Sequence, residues 1–325
     1  MQTIYRFEPV YKPRPWGGRA IGGVGCRCLP SDGKIGESWE ITDRPGDESV
    51  IREGEWRGKS IRWLLDEHGS LVMGRAWGKG ERFPLLVKVL DAAERLSLQV
   101  HPPARAAAEL GGEPKTEAWY LLGASANAGL MAGLRKGVTR ERFERELKDM
   151  SGAGLEALVQ RLPVKTGDAI FIPSGRIHAV DAGCLILEVQ QNSDTTYRVW
   201  DWGRLGLDGK PRALQVKESL ASIDFEDFEP QLTGGREVSS ASGQSISLVD
   251  CEYFTLERWR LASGRVYDPR APMVVHGLKG NLAVKSDASG ETVVPPGETF
   301  LLAAVPHRLA PAEAGGVEFL AGCPR

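Results

Sequence analysis

What most constrains this chain is the shortness of its apolar runs. Stretches of roughly four to eight residues, each cut off by glycine or proline, recur along most of its length, and the 325 residues include 39 glycines and 20 prolines. Runs this short, bounded by turn formers, read as strands rather than helices. Residues 83–90, 169–172, 184–190 and 196–200 fit this description, and residues 254–261 alternate with period two, as a half-buried strand does. Helical patterning is confined to residues 60–71, with Ser60 as the N-cap, to residues 104–110, and to residues 139–162. The last segment opens on Thr139 as a cap, has Arg142 where a capping box carries glutamate, and divides into two short helices near Gly152 and Gly154. The expected fold class is mainly β with a few short helices.

A chain of 325 residues exceeds what one core comfortably holds. Residues 229–244, rich in Pro230, Gly234, Gly235, Ser239, Ser240, Ser242 and Gly243, have linker composition. They divide the chain into a larger unit, 1–235, and a smaller β unit, 245–325. Charged residues make up 26% and the formal net charge is -2, so there is no broad basic field for nucleic acid or anionic lipid, and an anionic substrate must be met by a local cluster. No run of apolar residues approaches the length of a membrane span. The five cysteines, Cys26, Cys28, Cys184, Cys251 and Cys323, are odd in number and lack C-x-x-C spacing. That argues for a reducing, cytoplasmic setting and against a disulfide frame or a thiolate-bound zinc.

Nitrogen and carboxylate ligands recur instead. In Leu96-Ser97-Leu98-Gln99-Val100-His101-Pro102, Gln99 and His101 are two apart on a strand and share a face. A second histidine, His178, closes the segment 167–178, and Glu117 lies between the two. Two imidazoles, a carboxylate and an amide oxygen suit zinc or a similar ion and leave a position open for water or substrate. The second segment, Gly167, five residues, Pro173, one residue, Gly175, two residues, His178, has the spacing of cupin barrels. The first cupin segment usually carries His-x-His with a glutamate a few residues on, whereas here Gln99-x-His101 is followed by glutamate only at Glu117. Taken singly, a histidine is ordinarily a surface or core residue. His68 is expected to be solvated near a helix end. His276 and His307 fall in the smaller unit, where residues 297–307 echo the barrel spacing without a carboxylate partner, so a metal-free barrel is expected there. Lys88, inside an apolar strand, either snorkels to an edge or faces a polar interior. Asp194 and Arg198 form an ion-pair candidate.

The stretches Pro15-Trp16-Gly17-Gly18, Gly36-Glu37-Ser38-Trp39-Glu40, Phe83-Pro84-Leu85-Leu86-Val87-Lys88, 96–102, Lys115-Thr116-Glu117 and 183–191, running into Asp194 and Arg198, occur in order over residues 15 to about 220. Together they resemble the type I mannose-6-phosphate isomerases, or phosphomannose isomerases, in their short bacterial form. The resemblance implies cupin-type (jelly-roll) β-barrels and one Zn²⁺ per chain on Gln99, His101, Glu117 and His178. It implies catalytic roles for Arg198, Lys115, Lys88, Glu188 and Asp194, and substrate binding by Ser97, Lys115 and Arg198. The implied reaction interconverts mannose 6-phosphate and fructose 6-phosphate through an enediol, with a sugar phosphate as the only partner and a monomer or weak dimer as the assembly. Lys88 and Glu188 compete for the role of base, and Asp194 is a candidate to orient Arg198 or a proton-relaying water. Longer members carry a histidine just before the lysine matched by Lys115. Pro114 stands there, so a mechanism needing that histidine does not apply; the long helical insertion of those members is absent too. A dioxygenase-like cupin using Fe²⁺ and a non-catalytic sugar-binding cupin are the alternative classes. Lys88, Lys115 and Arg198 together favour the isomerase, because a simple binder has no need of so many proton-transfer groups.

Overall fold

The computed structural model describes residues 1–149 and 152–325. Strands dominate, and the reason is visible in Leu85–Ala92, where side chains alternate between two apolar environments. Leu85, Val87 and Val89 pack into one core while Leu90 and Ala92 pack into another. Lys88 shares the second face, so a charged group points into the space between two sheets.

Those sheets are a six-stranded one, in the order Ala169–Ile172, Glu117–Ala124, Cys184–Gln191, Leu85–Ala92, Ile35–Ile41 and Val10–Gly18, and a five-stranded one. The latter runs Tyr197–Trp200, Leu98–Val100, His178–Val180, Gly129–Leu134 and Val159–Pro163. Leu90, Trp119, Leu121 and Ile186 of the first sheet meet Leu130, Ala132, Leu162 and Val180 of the second in a shared core. The outer face of the five-stranded sheet is covered by the helices Arg140–Lys148 and Gly152–Leu158, through Phe143, Leu147, Leu155 and Leu158. The two sheets face each other as a jelly-roll sandwich, and among the described residues no ladder closes them into a hydrogen-bonded barrel.

On its other side, the six-stranded sheet packs Val87, Val89, Tyr120 and Leu187 against Phe254, Leu256, Leu301 and Leu320 of an eight-stranded sheet. That sheet in turn covers a four-stranded one through Trp259, Val275, Phe300 and Phe319. The first strand of the chain, Ile4–Glu8, belongs to the eight-stranded sheet, pairing Ile4 with Leu302 and Tyr5 with Leu301.

Several local expectations need correction. The linker-like composition of residues 229–244 conceals a strand, Arg236–Ser240, paired with Gly243–Asp250; all five of its residues are exposed, so nothing selected for apolar side chains. Residues 159–162, read as helix, belong to the edge strand Val159–Pro163, and the second helix passes through Gly154. His68 is less solvated than expected. It sits at a kink inside Ile61–Met73, with non-helical φ of -132°, half-buried and stacked on Trp56 at 4.2 Å between ring centroids. All five cysteines are free. No helix among the described residues is long and apolar enough to cross a membrane.

His276 is the buried histidine of the eight-stranded sheet, 1% exposed, with Nδ1 2.9 Å from Thr299 Oγ1 and, among the described residues, no partner for Nε2. Burial, reinforced by the nearby Arg27 charge, pushes its pKa down to about 3. The unfolded chain therefore binds a proton that the folded one refuses, and the stability contributed by the neutral ring is present above pH 6.5 and lost as pH falls toward 3. Between pH 6.5 and pH 5 this amounts to about 2 kcal/mol. Replacing His276 with asparagine is expected to flatten the fall in denaturation midpoint over that interval; an unchanged slope would contradict the assignment.

Candidate metal centre and substrate cavity

Register brings the polar residues together. Gln99 stands opposite His178 in one ladder and opposite Arg198 in the next. On the facing sheet, Glu188 pairs with both Lys88 and Trp119, and Gln190 with Glu117. His101 follows its strand directly and is tied to the turn before His178, where Gly175 donates its backbone N–H to the His101 carbonyl at 2.8 Å. Gly175 has φ +93°, a conformation open to glycine and strained for any side chain.

His101, Glu117 and His178 form a buried cluster, each at most 1% exposed. His101 Nε2 lies 3.4 Å from Glu117 Oε2, and His178 Nε2 lies 3.6 Å from Glu117 Oε1. The opposite ring nitrogens are engaged outward: His101 Nδ1 is 2.9 Å from the Thr195 carbonyl and His178 Nδ1 is 2.9 Å from that of Arg176. Carbonyls only accept, so Nδ1 carries the proton in each ring and both Nε2 lone pairs face the glutamate. Burial, with the Lys115 charge behind it, lowers His101 to about 4, and burial lowers His178 as well, so both rings are neutral donors near pH 7. Burial alone would raise Glu117; Lys115 and the two histidines outweigh it and hold the carboxyl well below its usual range.

Lys115 Nζ sits 2.7 Å from Glu117 Oε2 and 3.0 Å from His101 Nε2. An ammonium thus stands where the charge of a divalent cation would fall. Gln99 Nε2 is 3.2 Å from His178 Nε2, while its Oε1 accepts from Ser97 Oγ at 3.1 Å. Half a turn about the terminal bond presents the amide oxygen to the cluster with no change of shape.

Beyond the cluster a row of alternating charges crosses the floor of a cavity of about 620 Å³. Lys115 is 3.9 Å and Lys88 is 3.1 Å from Glu188 Oε1, and Trp119 Nε1 donates to Glu188 Oε2 at 2.9 Å. The row ends at Glu37, which accepts from Trp39 Nε1 and Arg14 Nε, both at 2.7 Å. Burial opposes ionisation there, but Lys88 and Arg14, with these hydrogen bonds, hold the Glu37 carboxyl at about 2. In Lys115, Glu117 and Glu188 outweigh burial and raise the pKa.

Ser97, Gln99, Lys88, Lys115, Glu188, Asp194 and Arg198 all line this cavity, with His101, Glu117 and His178 beneath it. One expected contact is missing: Asp194 is exposed and makes no ion pair with Arg198 among the described residues. Arg198 donates instead from Nη1 to the Ala213 carbonyl at 2.8 Å, while the nearest influence of Asp194 falls on Arg14 and Lys115. Asp194 lies before the strand Tyr197–Trp200 that carries Arg198, so no strand register holds the two side chains together. The sequence reading assigned no role to Arg14, Glu37, Trp119 or Arg212, all of which reach the cavity. Glu37 alone had a visible signal, its place in the stretch Gly36-Glu37-Ser38-Trp39-Glu40 that carries part of the family resemblance.

Two facing sheets with a buried His-Glu-His cluster under a polar cavity define a cupin-type protein with the donor set of a metal site. Residues 4–121 match the family described as "Phosphomannose isomerase type I, catalytic domain". The chain is 35% identical over 293 residues to mannose-6-phosphate isomerase ManA of Bacillus subtilis, covering 89% of each chain. It is also 35% identical to a mannose-6-phosphate isomerase of Streptococcus mutans, over 80% of this chain and 79% of that protein. The crystal structure of a Bacillus subtilis mannose 6-phosphate isomerase superposes with a TM-score of 0.87 at 28% identity, covering 99% of both chains. The chain belongs to the type I phosphomannose isomerase family, a family of isomerase enzymes.

Proposed function

We propose that this enzyme interconverts mannose 6-phosphate and fructose 6-phosphate through an enediol, using one Zn²⁺ held by Gln99, His101, Glu117 and His178. The observation that carries the metal assignment is the cluster itself: two imidazoles locked with Nε2 inward and a buried Glu117 Oε1 that has no hydrogen-bond partner among the described residues. These are nitrogen and oxygen donors of borderline character, with carbonyls fixing the imidazoles from behind. A bound zinc ion supplies electrostatic stabilisation of the oxyanion that develops on the sugar. The division into a catalytic unit, 1–235, and a metal-free unit, 245–325, belongs to the same proposal.

The chain's own residues account for the rest. Isomerisation moves one proton between C2 and C1, and the buried Lys88–Glu188 pair is the group we assign to carry it, with Trp119 fixing Glu188. Lys115, charged and able to reach either Glu117 or Glu188, stabilises negative charge in the enediol. Arg198 and Ser97 share the face of Gln99 and bind substrate oxygens at the cavity wall. Asp194, exposed at the wall, is left with the relay of a proton through water.

Under a coupled assay, the protein loaded with Zn²⁺ is expected to convert mannose 6-phosphate, to lose that activity with a chelator, and to regain it on adding the metal back. In deuterated water it should incorporate deuterium into fructose 6-phosphate. Oxygen consumption in place of isomerisation would point to the iron-dependent alternative, and sugar phosphate binding without exchange would make the protein a binder only.

A further inference from the structure

The turn before His178 is tied to all three residues of the His-Glu-His cluster. The Pro173 carbonyl accepts from the Arg176 backbone N–H at 3.1 Å, which closes the turn, and Gly175 takes its left-handed position at φ +93°. Three consecutive residues then each secure one member of the cluster. Ser174 donates its backbone N–H to Thr116 Oγ1 at 3.2 Å, beside Glu117. Gly175 donates to the His101 carbonyl at 2.8 Å, and the Arg176 carbonyl accepts from His178 Nδ1 at 2.9 Å. A shift of this turn therefore moves the three donors relative to one another.

The turn is pinned from outside by a later segment of the chain. Arg176 forks onto Asp227, with Nε to Oδ2 and Nη2 to Oδ1 both at 2.7 Å, and its Nη1 donates back to the Phe171 carbonyl at 2.6 Å. The two side chains are 13% and 16% exposed, so water competes little for the fork. Asp227 is fixed in its turn. Its carbonyl accepts from the Leu134 backbone N–H at 2.9 Å, Glu229 donates to the Leu134 carbonyl at 2.9 Å, and Phe225 and Phe228 pack against the outer core that holds Phe143. Asp224, earlier in the same segment, donates its backbone N–H to the Gly175 carbonyl at 2.9 Å. Neither Arg176 nor Asp227 lines the substrate cavity, so contact with a sugar does not account for the pair.

We infer that Arg176 and Asp227 are positioning residues for the metal, setting its affinity by holding the turn that orients His178 and braces His101 and Glu117. The inference rests on the zinc reading of the cluster. Groups that orient a ligating imidazole from behind are worth about 10- to 100-fold in metal affinity, because donors must stay within about 0.5 Å of the productive geometry. Here the orienting group is a backbone carbonyl, which no substitution removes. Its placement is set by the side chain on the same residue, and the planar two-bond fork to Asp227 resists rotation in a way that a single ammonium contact does not.

The test is the zinc dissociation constant of the folded full-length protein, measured by competition with a chelator, beside kcat and KM for mannose 6-phosphate at saturating zinc. Arg176→Ala and Asp227→Ala are each expected to raise the zinc dissociation constant about 10- to 100-fold. Saturating zinc should return kcat to within about threefold of wild type with KM little changed, since the pair touches no substrate. Arg176→Lys, which keeps the charge and loses the fork, should fall between wild type and Arg176→Ala. The double alanine variant should bind zinc no more weakly than the weaker single one, because the two side chains act as a unit. Arg6→Ala is the control: it breaks a pair of similar burial, with Glu298 at 2.7 Å, far from the turn in sequence and on the eight-stranded sheet, and should lower the melting temperature without changing zinc affinity. Asp227→Asn, which keeps the shape and loses the charge, serves if the alanine variants do not fold. A folded variant whose zinc affinity stays within about threefold of wild type overturns the assignment, as does an equal loss in Arg6→Ala. A wild type that binds no zinc overturns the metal reading and this inference with it, and that outcome is seen before any variant is made.

Discussion

His101→Ala will lose bound zinc and isomerase activity together, with activity below about a hundredth of wild type. The expectation follows from how the ring is held. His101 is 1% exposed, its Nδ1 is fixed against the Thr195 carbonyl, and its Nε2 faces Glu117, so no neighbouring side chain can swing in to replace the lost nitrogen. Alanine removes one donor of a set that needs about four, and the three that remain do not complete a tetrahedral site. The fold should survive, because Lys115 still neutralises Glu117 at 2.7 Å. Metal analysis of the purified variant, activity measured with and without added zinc, and a melting curve separate the outcomes. Wild-type turnover by a folded, metal-free His101→Ala protein would sink the metal assignment. Tight zinc binding with no activity would instead make His101 a catalytic group in its own right.

How much of this was legible in the sequence depended on whether local periodicity carried the information. Ser97, Gln99 and His101 alternate with Leu98 and Val100, and the structure sends the first set to the cavity or its floor and the second into the outer core. Lys88 was ambiguous until Leu90 and Ala92 fixed which face of its strand it shares. The residues without an assigned role are of two kinds. Glu37 sits in a strand whose seven residues are all buried, so alternation of burial could not mark it. Arg212 lies in an irregular segment with no period at all, and what holds it at the cavity is Asp201, eleven positions earlier. The pairing of Ile4–Glu8 with Thr299–Leu302 joins the two ends of the chain, a contact that no window of sequence contains. His68 tells the same story on a smaller scale: stacking on Trp56 keeps it half-buried, and Trp56 lies outside the helix that carries His68.

Lys88→Met and Glu188→Gln are each expected to lower kcat by about 10²-fold or more while changing KM little, since a positioned acid or base contributes about 10²- to 10⁴-fold. They should differ in stability. Lys88 and Glu188 are 5% and 4% exposed and 3.1 Å apart, and Lys88 also faces Glu37 from the strand between them. Removing the lysine alone leaves two buried carboxylates short of a cation, a loss of about 3–5 kcal/mol by the usual cost of breaking a buried pair. Glu188→Gln costs less, because Glu37 still balances Lys88 and the amide oxygen of glutamine can keep the hydrogen bond from Trp119 Nε1. The double variant should be more stable than the sum of the two losses allows, which is the signature of a coupled pair in a double-mutant cycle. Deuterium exchange then separates roles that stability cannot. If the pair moves the proton between C2 and C1, both single variants lose exchange and isomerisation in parallel. Should both keep more than about a tenth of wild-type kcat, the proton travels by another group. Lys115 is the next candidate, because it already contacts Glu117 and lies 3.9 Å from Glu188 without belonging to the strand that carries Lys88.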